Sequence, residues 1–346
     1  MRPTSRALEA GAFALACAAC STSQETSAPP IDASAALASA CSAPNALHAA
    51  TISDFVASLQ HGYAYTELSI DQMNAVTAAT RALAEGDLPT ARLQAQKAGY
   101  GVAPLVTGGG CYVLLQPTDA APPGQATLVY ASSWDRELVI EAPHVPEDHR
   151  TDAEAALLFV QLRARATVIA GAHRCAVPMP SGCRFSTECN PMGTAIASDL
   201  AHSVLNALNA MHLFFRTTDA VVLQVHTNFR PDVNGDALVS NGTTYVIPGT
   251  VADAVYAALQ APDLDVRSCN DARSPPVPGA FCGEANTQGL ASNGAADQCL
   301  GRAPHSGDAA AHRFVHLEQN TNRMDALDTW SPRVAAALAA AIPPAH

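Results

Sequence analysis

Positive charge is scarce in this chain of 346 residues: 19 Lys and Arg stand against 31 Asp and Glu, for a formal net charge of −12. No basic cluster offsets that balance, which argues against a nucleic-acid partner. Charged residues make up only 14% and hydrophobic residues 48%, the composition of a globular chain with room for one large domain or two modest ones. The apolar run Gly11–Ala19 falls well short of the ~20 residues a membrane-spanning helix needs. Beyond residue 20 no Cys-x-x-Cys pair occurs, which excludes a thiolate zinc cluster. Ser181-Gly-Cys and the other serines lack a nucleophile-elbow context, so a serine hydrolase is excluded. Gly108–Gly110 has neither the Lys nor the following helix of a phosphate loop. Asp232, Asn234 and Asp236 open like a calcium loop, but no Glu follows at the required spacing, and they read as a turn. No internal repeat is present.

What is there begins with an export signal. Arg2 and Arg6 precede the short apolar run, and Ala18-Ala19-Cys20 resembles a bacterial lipoprotein signal, with Cys20 as the lipidated residue and Cys17 a second candidate. A lipid there would be the only membrane attachment. The other eight cysteines, Cys41, Cys111, Cys175, Cys183, Cys189, Cys269, Cys282 and Cys299, form an even set suited to disulfides in an oxidising compartment, with local bridges expected within 175–189 and 269–299. The expected organisation is a signal over 1–20, a flexible Ser/Ala/Pro linker over 21–51, a helical region over 52–100 and an α/β domain over 101–346. The long irregular stretch 262–312 is of a length that is usually functional or cross-linked.

The centre of that domain is the stretch 138–175. Leu138–Ala142 is a short apolar run with the pattern of a buried strand. Thr151 reads as a helix N-cap, with Glu154 placed for a capping box, and Ala153–Ala166 as the helix. Thr167–Ala172 is apolar and β-branched again. Strand, helix and strand at this spacing form a βαβ unit, hence a mixed, largely parallel sheet with flanking helices. A β-hairpin is expected from Cys111–Gln116 and Ala126–Ala131. Further on, a helix is expected over Asp199–Phe215, capped by Ser198, then strands at Ala220–Val225, Leu238–Asn241, Thr244–Ile247 and Arg313–Gln319. Helices are expected at Val251–Leu259 and Pro332–Ile342.

Ligands in open α/β sheets collect at the carboxyl ends of strands. Here three strand ends deliver His144 with Glu147 and Asp148, then His226, then Glu318. A catalytic zinc takes three protein ligands, often two imidazoles and a carboxylate, and keeps a position open for water. His144, His226 and either Glu147 or Asp148 meet that count. Glu318 is the residue type to accept the water's proton and pass it to a leaving amine.

This pattern resembles the zinc-dependent carboxypeptidases and their relatives, including poly-γ-glutamate hydrolases and N-formylglutamate amidohydrolases. His144-Val-Pro-Glu147 fits the His-x-x-Glu motif of that group, Leu-Gln-Val-His226 the second histidine ending a later strand, and Phe-Val-His-Leu-Glu318 the catalytic glutamate. The resemblance covers roughly residues 136–343. The run Asp148-His-Arg-Thr151 resembles the Glu-x-x-Thr of the polyglutamate hydrolases, which would make Asp148 the carboxylate ligand. The resemblance implies an amide or peptide hydrolase acting on a peptide, γ-glutamyl polymer, cell-wall peptide or N-acyl amino acid. No Asn-Arg pair for a terminal carboxylate appears; Arg174 and Arg323 are the candidates for an anionic substrate group, with His173 beside Arg174. His149 reads as a loop residue, His316 as a neighbour of Glu318, and Asp199 with His202 as a capped helix start. The rival readings are a non-catalytic surface lipoprotein of the same fold and a partner-docking surface built from the disulfide-rich loops.

Overall fold

Ten strands form one sheet in the computed structural model, which describes residues 33–183, 189, 195–273, 275–304 and 311–345. In chain order they are β1 (Leu47–His48), β2 (Tyr100–Thr107), β3 (Gly110–Pro117), β4 (Thr127–Ala131), β5 (Arg136–Ala142), β6 (Ala164–Ile169), β7 (Val221–Asn228), β8 (Ala237–Ser240), β9 (Val266–Ser268) and β10 (Phe314–Asn320). Across the sheet the order is β1-β2-β3-β4-β6-β5-β7-β10-β8-β9. The centre, β6-β5-β7-β10, is parallel; β2, β3 and β4 extend it as an antiparallel meander, and β8 runs antiparallel to β10. Every residue of β7 and β10 is buried. Strands covered on both faces read as continuous apolar runs, which is why this part of the fold was legible in the sequence.

Register then decides what meets what. Glu141, Gln224 and His316 lie side by side on β5, β7 and β10, and one step further Glu318 lies beside His226. Residues paired in register share a face, and so do alternate residues along a strand, so all five side chains rise from the same side of the sheet. The next residue, Gln319, turns to the other side, where it bonds to Glu154 and Trp330 of the helices Thr151–Gln161 and Leu327–Ala341.

Several elements differ from expectation, each for a local reason. The helix after β5 stops at Gln161, and Arg163 takes a left-handed conformation (φ 46°) so that Ala164 can enter β6; sheet pairing overrides the helical preference of the Ala-rich sequence. Its cap is Arg150, while the Thr151 hydroxyl donates to the Asp148 carbonyl and Glu154 turns inward. The helix expected from Asp199 begins only at Ala207, capped by the Asn206 side chain, because Asp199 and its neighbours form turns at the site. Thr244–Ile247 is no strand; the Asn270 side chain binds the Thr243 and Tyr245 carbonyls that a ladder would use. Strands β2 and β9 lay outside the sequence reading. The helical region 52–100 resolves into Ile52–Ala57, Ile70–Ala84 and Leu88–Lys97, and the last helix starts at Leu327.

Within the stretch read as a linker, Ala33–Ala40 is helical, and Cys41 is bridged to Cys111 on β3. Local bridges join Cys175 to Cys189 and Cys269 to Cys282, while Cys183–Cys299 crosses between the two irregular segments. The stretch expected to be an export signal, with Cys20, lies outside the described residues. Among those residues no helix is long and apolar enough to cross a membrane.

Candidate active site

β5 ends at Ala142 and the chain turns at once, so His144 and Asp148 sit above the sheet edge, one helical turn apart. β7 brings up His226 beside them. The three donor atoms, His144 Nδ1, Asp148 Oδ2 and His226 Nδ1, form a triangle with edges of 3.2, 3.0 and 3.1 Å. Zinc–ligand bonds of 2.0–2.1 Å in a tetrahedron require donors ~3.3 Å apart. The triangle is therefore close to the dimensions of one face of such a site, and two imidazole nitrogens with a carboxylate oxygen are a suitable donor set.

The surroundings orient each ring. His144 Nε2 donates to Asp199 Oδ1 at 2.9 Å, which leaves Nδ1 directed at the triangle. Asp199 is fully buried; its Oδ1 also accepts from His202 Nδ1 at 2.9 Å, and its Oδ2 accepts from Arg174 at 2.7 and 3.2 Å. His226 Nε2 faces Gln224 Oε1 at 3.4 Å, again leaving Nδ1 for the triangle.

The charges around the triangle are compatible with a cation at its centre. Although buried, Asp148 is held well below the usual carboxylate range by His144 and His226, and Asp199 likewise by Arg174, His202 and His144. Burial and Arg174 oppose protonation of His144, yet Asp199 and Asp148 outweigh them and raise it to about 9. Burial lowers His226 to about 4, with the charge of His144 acting in the same direction. Two buried carboxylates thus draw a proton onto His144 at the place where a metal would compete for the lone pair.

Glu318 faces this group from β10. Its Oε2 accepts from Asn228 Nδ2 at 3.1 Å, while Oε1 lies 3.7 Å from His316 Nε2, beyond hydrogen-bond range. Burial, reinforced by the nearby charge of Asp148, raises the Glu318 carboxyl to about 8. His316 packs against His226 with ring centroids 4.5 Å apart, and burial keeps it neutral, its pKa far below the ordinary histidine value.

The remaining sequence candidates divide cleanly. Arg174 is brought into the cluster through Asp199 and lies 3.8 Å from Asp148 Oδ1. Glu147 is outside the triangle, paired with His173 Nε2 at 2.6 Å, and His173 stacks on the exposed ring of Tyr63. Of the two alternatives for the carboxylate donor, the geometry places Asp148 with the histidines and Glu147 at the rim. Arg323 is held by both oxygens of Asp236 at 2.9 Å each. His149 pairs with Asp325. The sequence reading missed Asp199 and His202 as site residues, because Asp-x-x-His after a serine also looks like a capped helix. Their signal was the company of Arg174, which only the fold makes visible.

No protein-family model and no curated protein matches the chain. Solved structures similar to it include an N-formylglutamate amidohydrolase from Ralstonia eutropha, with 12% identity, 62% of this chain and 96% of that chain covered, and a TM-score of 0.38. Others are a "putative carboxypeptidase" from Burkholderia mallei (13% identity, 70% and 62% covered, TM-score 0.34) and a "putative metallopeptidase" from Shewanella amazonensis (11%, 72% and 86%, 0.29). Likeness at this level carries no chemistry; the chemical argument rests on the side chains described above.

Proposed function

We propose that this chain is an exported, zinc-dependent hydrolase of amide or peptide bonds. The observation that carries the reading is the buried triangle of His144 Nδ1, Asp148 Oδ2 and His226 Nδ1, with Glu318 paired in register to His226 on the next strand. His144, Asp148 and His226 would hold the metal, and Asp199 and Gln224 would keep the two rings turned toward it. Zinc bound there would lower the pKa of a water molecule toward neutrality and polarise the scissile carbonyl.

The chain's own groups do the rest. Glu318, with a carboxyl poised near 8, would take the water's proton and return it to the leaving nitrogen; a pKa close to the working pH suits both halves of that transfer. Asn228 holds one Glu318 oxygen, leaving the other for the proton. Arg174, anchored by Asp199, would supply positive charge for an anionic group of the substrate or for the developing oxyanion. The substrate classes that follow are a peptide, a γ-glutamyl polymer, a cell-wall peptide or an N-acyl amino acid. Four disulfides suit a periplasmic or extracellular setting, and lipidation of Cys20 would tether the protein to a membrane.

Elemental analysis of protein lacking the signal tests the reading. About one zinc per chain, lost in His144→Ala and His226→Ala, is expected, followed by hydrolysis of one substrate class that Glu318→Gln abolishes. Wild-type protein that takes up no zinc after add-back would return the fold to the non-catalytic binding role.

A further inference from the structure

Behind His226 runs a chain of buried polar groups that the proposed chemistry does not use directly. Gln224 Nε2 donates to Glu141 Oε2 at 2.7 Å and to Gln288 Oε1 at 3.2 Å. Glu141 Oε1 meets His212 Nδ1 at 3.1 Å, and His212 Nε2 meets Ser292 Oγ at 3.0 Å. Asn286 Nδ2 donates to Gln224 Oε1 at 2.5 Å. Gln224, Glu141, His212 and Gln288 are all fully buried. A buried polar group needs partners, and a network with every member satisfied has few ways to be arranged.

We infer that Gln224, locked by Glu141, Asn286 and Gln288, sets the tautomer of His226 and so is a positioning residue of the metal centre. The inference rests on the hydrolase reading above. An amide can be turned end for end, and the turned form would aim its NH2 at His226 Nε2 and drive the ring proton onto Nδ1, where it would block ligation. Three fixed groups forbid the turn. Glu141 Oε2 accepts from the Gln224 NH2 at 2.7 Å while its Oε1 is taken up by His212, so the turned form would lose that bond. Asn286 is itself fixed because its Oδ1 accepts from the Gly289 backbone N–H, so its NH2 points at Gln224 Oε1. Gln288 is fixed by donating to the Leu200 carbonyl, so its oxygen points at the Gln224 NH2. All three place Gln224 Oε1 toward His226. A ring protonated on Nδ1 would then set its Nε2 lone pair against that oxygen at 3.4 Å, whereas protonation on Nε2 makes a hydrogen bond and frees Nδ1.

Two readouts test this. Nitrogen NMR of metal-free Asp148→Ala, in which no carboxylate lies 3.0 Å from Nδ1 to compete for the proton, should show His226 protonated on Nε2, and adding Gln224→Met should lose that preference. Chelator competition should show zinc binding to Gln224→Met weakened ~10–100-fold, the range for losing a partner that orients a ligand. Glu141→Gln has the same shape and lies one residue further from the metal, so it supplies the second variant if Gln224→Met does not fold; a smaller loss in the same direction is expected. His226 protonated on Nδ1 in Asp148→Ala, or wild-type zinc affinity in both Gln224→Met and Glu141→Gln, would overturn the inference while leaving the hydrolase reading in place. If the wild type binds no zinc, the hydrolase reading fails, and the tautomer measurement still decides whether Gln224 sets the ring.

Discussion

Glu154 offers the sharpest quantitative test of the packing beneath the site. It projects from the helix Thr151–Gln161 and is fully buried; its Oε2 accepts from Gln319 Nε2, and its Oε1 has no hydrogen-bond partner among the described residues. Burial raises its carboxyl from 4.5 to about 8. The folded protein therefore keeps a proton up to about pH 8 that the unfolded chain releases near 4.5. Between those values the folded state binds more protons, so this group's contribution to stability falls as pH rises and levels off above the folded pKa. At about 1.4 kcal/mol per tenfold change in proton affinity, the loss relative to acid pH is ~1 kcal/mol at pH 5, ~3 kcal/mol at pH 7 and approaches ~5 kcal/mol above pH 8. Glu154→Gln removes the titration, keeps an acceptor for Gln319 and leaves a pH-independent cost of ~1–3 kcal/mol for one unpartnered amide end. The stability of the variant relative to wild type should therefore climb by ~2 kcal/mol between pH 5 and pH 7, read by urea unfolding at both. Parallel pH profiles for the two proteins would refute the assignment of a raised, buried carboxyl.

Four further outcomes follow from the same geometry. Glu318→Gln should retain zinc and lose turnover by ~100–10,000-fold, measured as kcat on whichever substrate class the screen yields. Asp148→Asn should lose zinc while Glu147→Gln keeps it, since Glu147 is paired with His173 at the rim; metal content of the two variants separates them. Arg323→Ala should leave kcat/KM unchanged and cost at most ~1 kcal/mol, because its partner Asp236 is a partly exposed surface pair. Opening the Cys41–Cys111 bridge, which closes 70 residues, should cost ~4 kcal/mol in denaturant titration through the freed unfolded chain.

The centre of this fold was legible because buried parallel strands advertise themselves. Leu138–Ala142 and Ala220–Val225 are mostly apolar runs with a histidine just beyond, and Arg313–Gln319 alternates, with Val315 and Leu317 on one side and Phe314, His316 and Glu318 on the other; those patterns survive without any knowledge of register. The helix boundaries were less legible. Ala-rich sequence after Thr151 supports helix well past Gln161, and only the demand of β6 for Ala164 cuts it short. Asp199 is the instructive miss. Its local sequence is that of a cap, and its real partners, His144 and Arg174, lie 55 and 25 residues away. The choice between Glu147 and Asp148 was likewise a matter of which way a short loop turns, and adjacent residues of identical chemistry carry no sequence signal for that. Gln224 is one polar residue in the otherwise apolar run Ala220–Val225, and its meaning lies in its contacts with Glu141 and Asn286.

The bridge between Cys175 and Cys189 starts one residue after Arg174. The backbone N–H of that same cysteine donates to His173 Nδ1, so the covalent tie, the guanidinium beside Asp199 and the imidazole at the rim share three consecutive residues. Reduction would remove that tie and leave Arg174 placed by its hydrogen bonds to Asp199 and by the Ser198 hydroxyl on its carbonyl. The bridge thus fixes the backbone next to Arg174, and the buried carboxylate fixes its side chain.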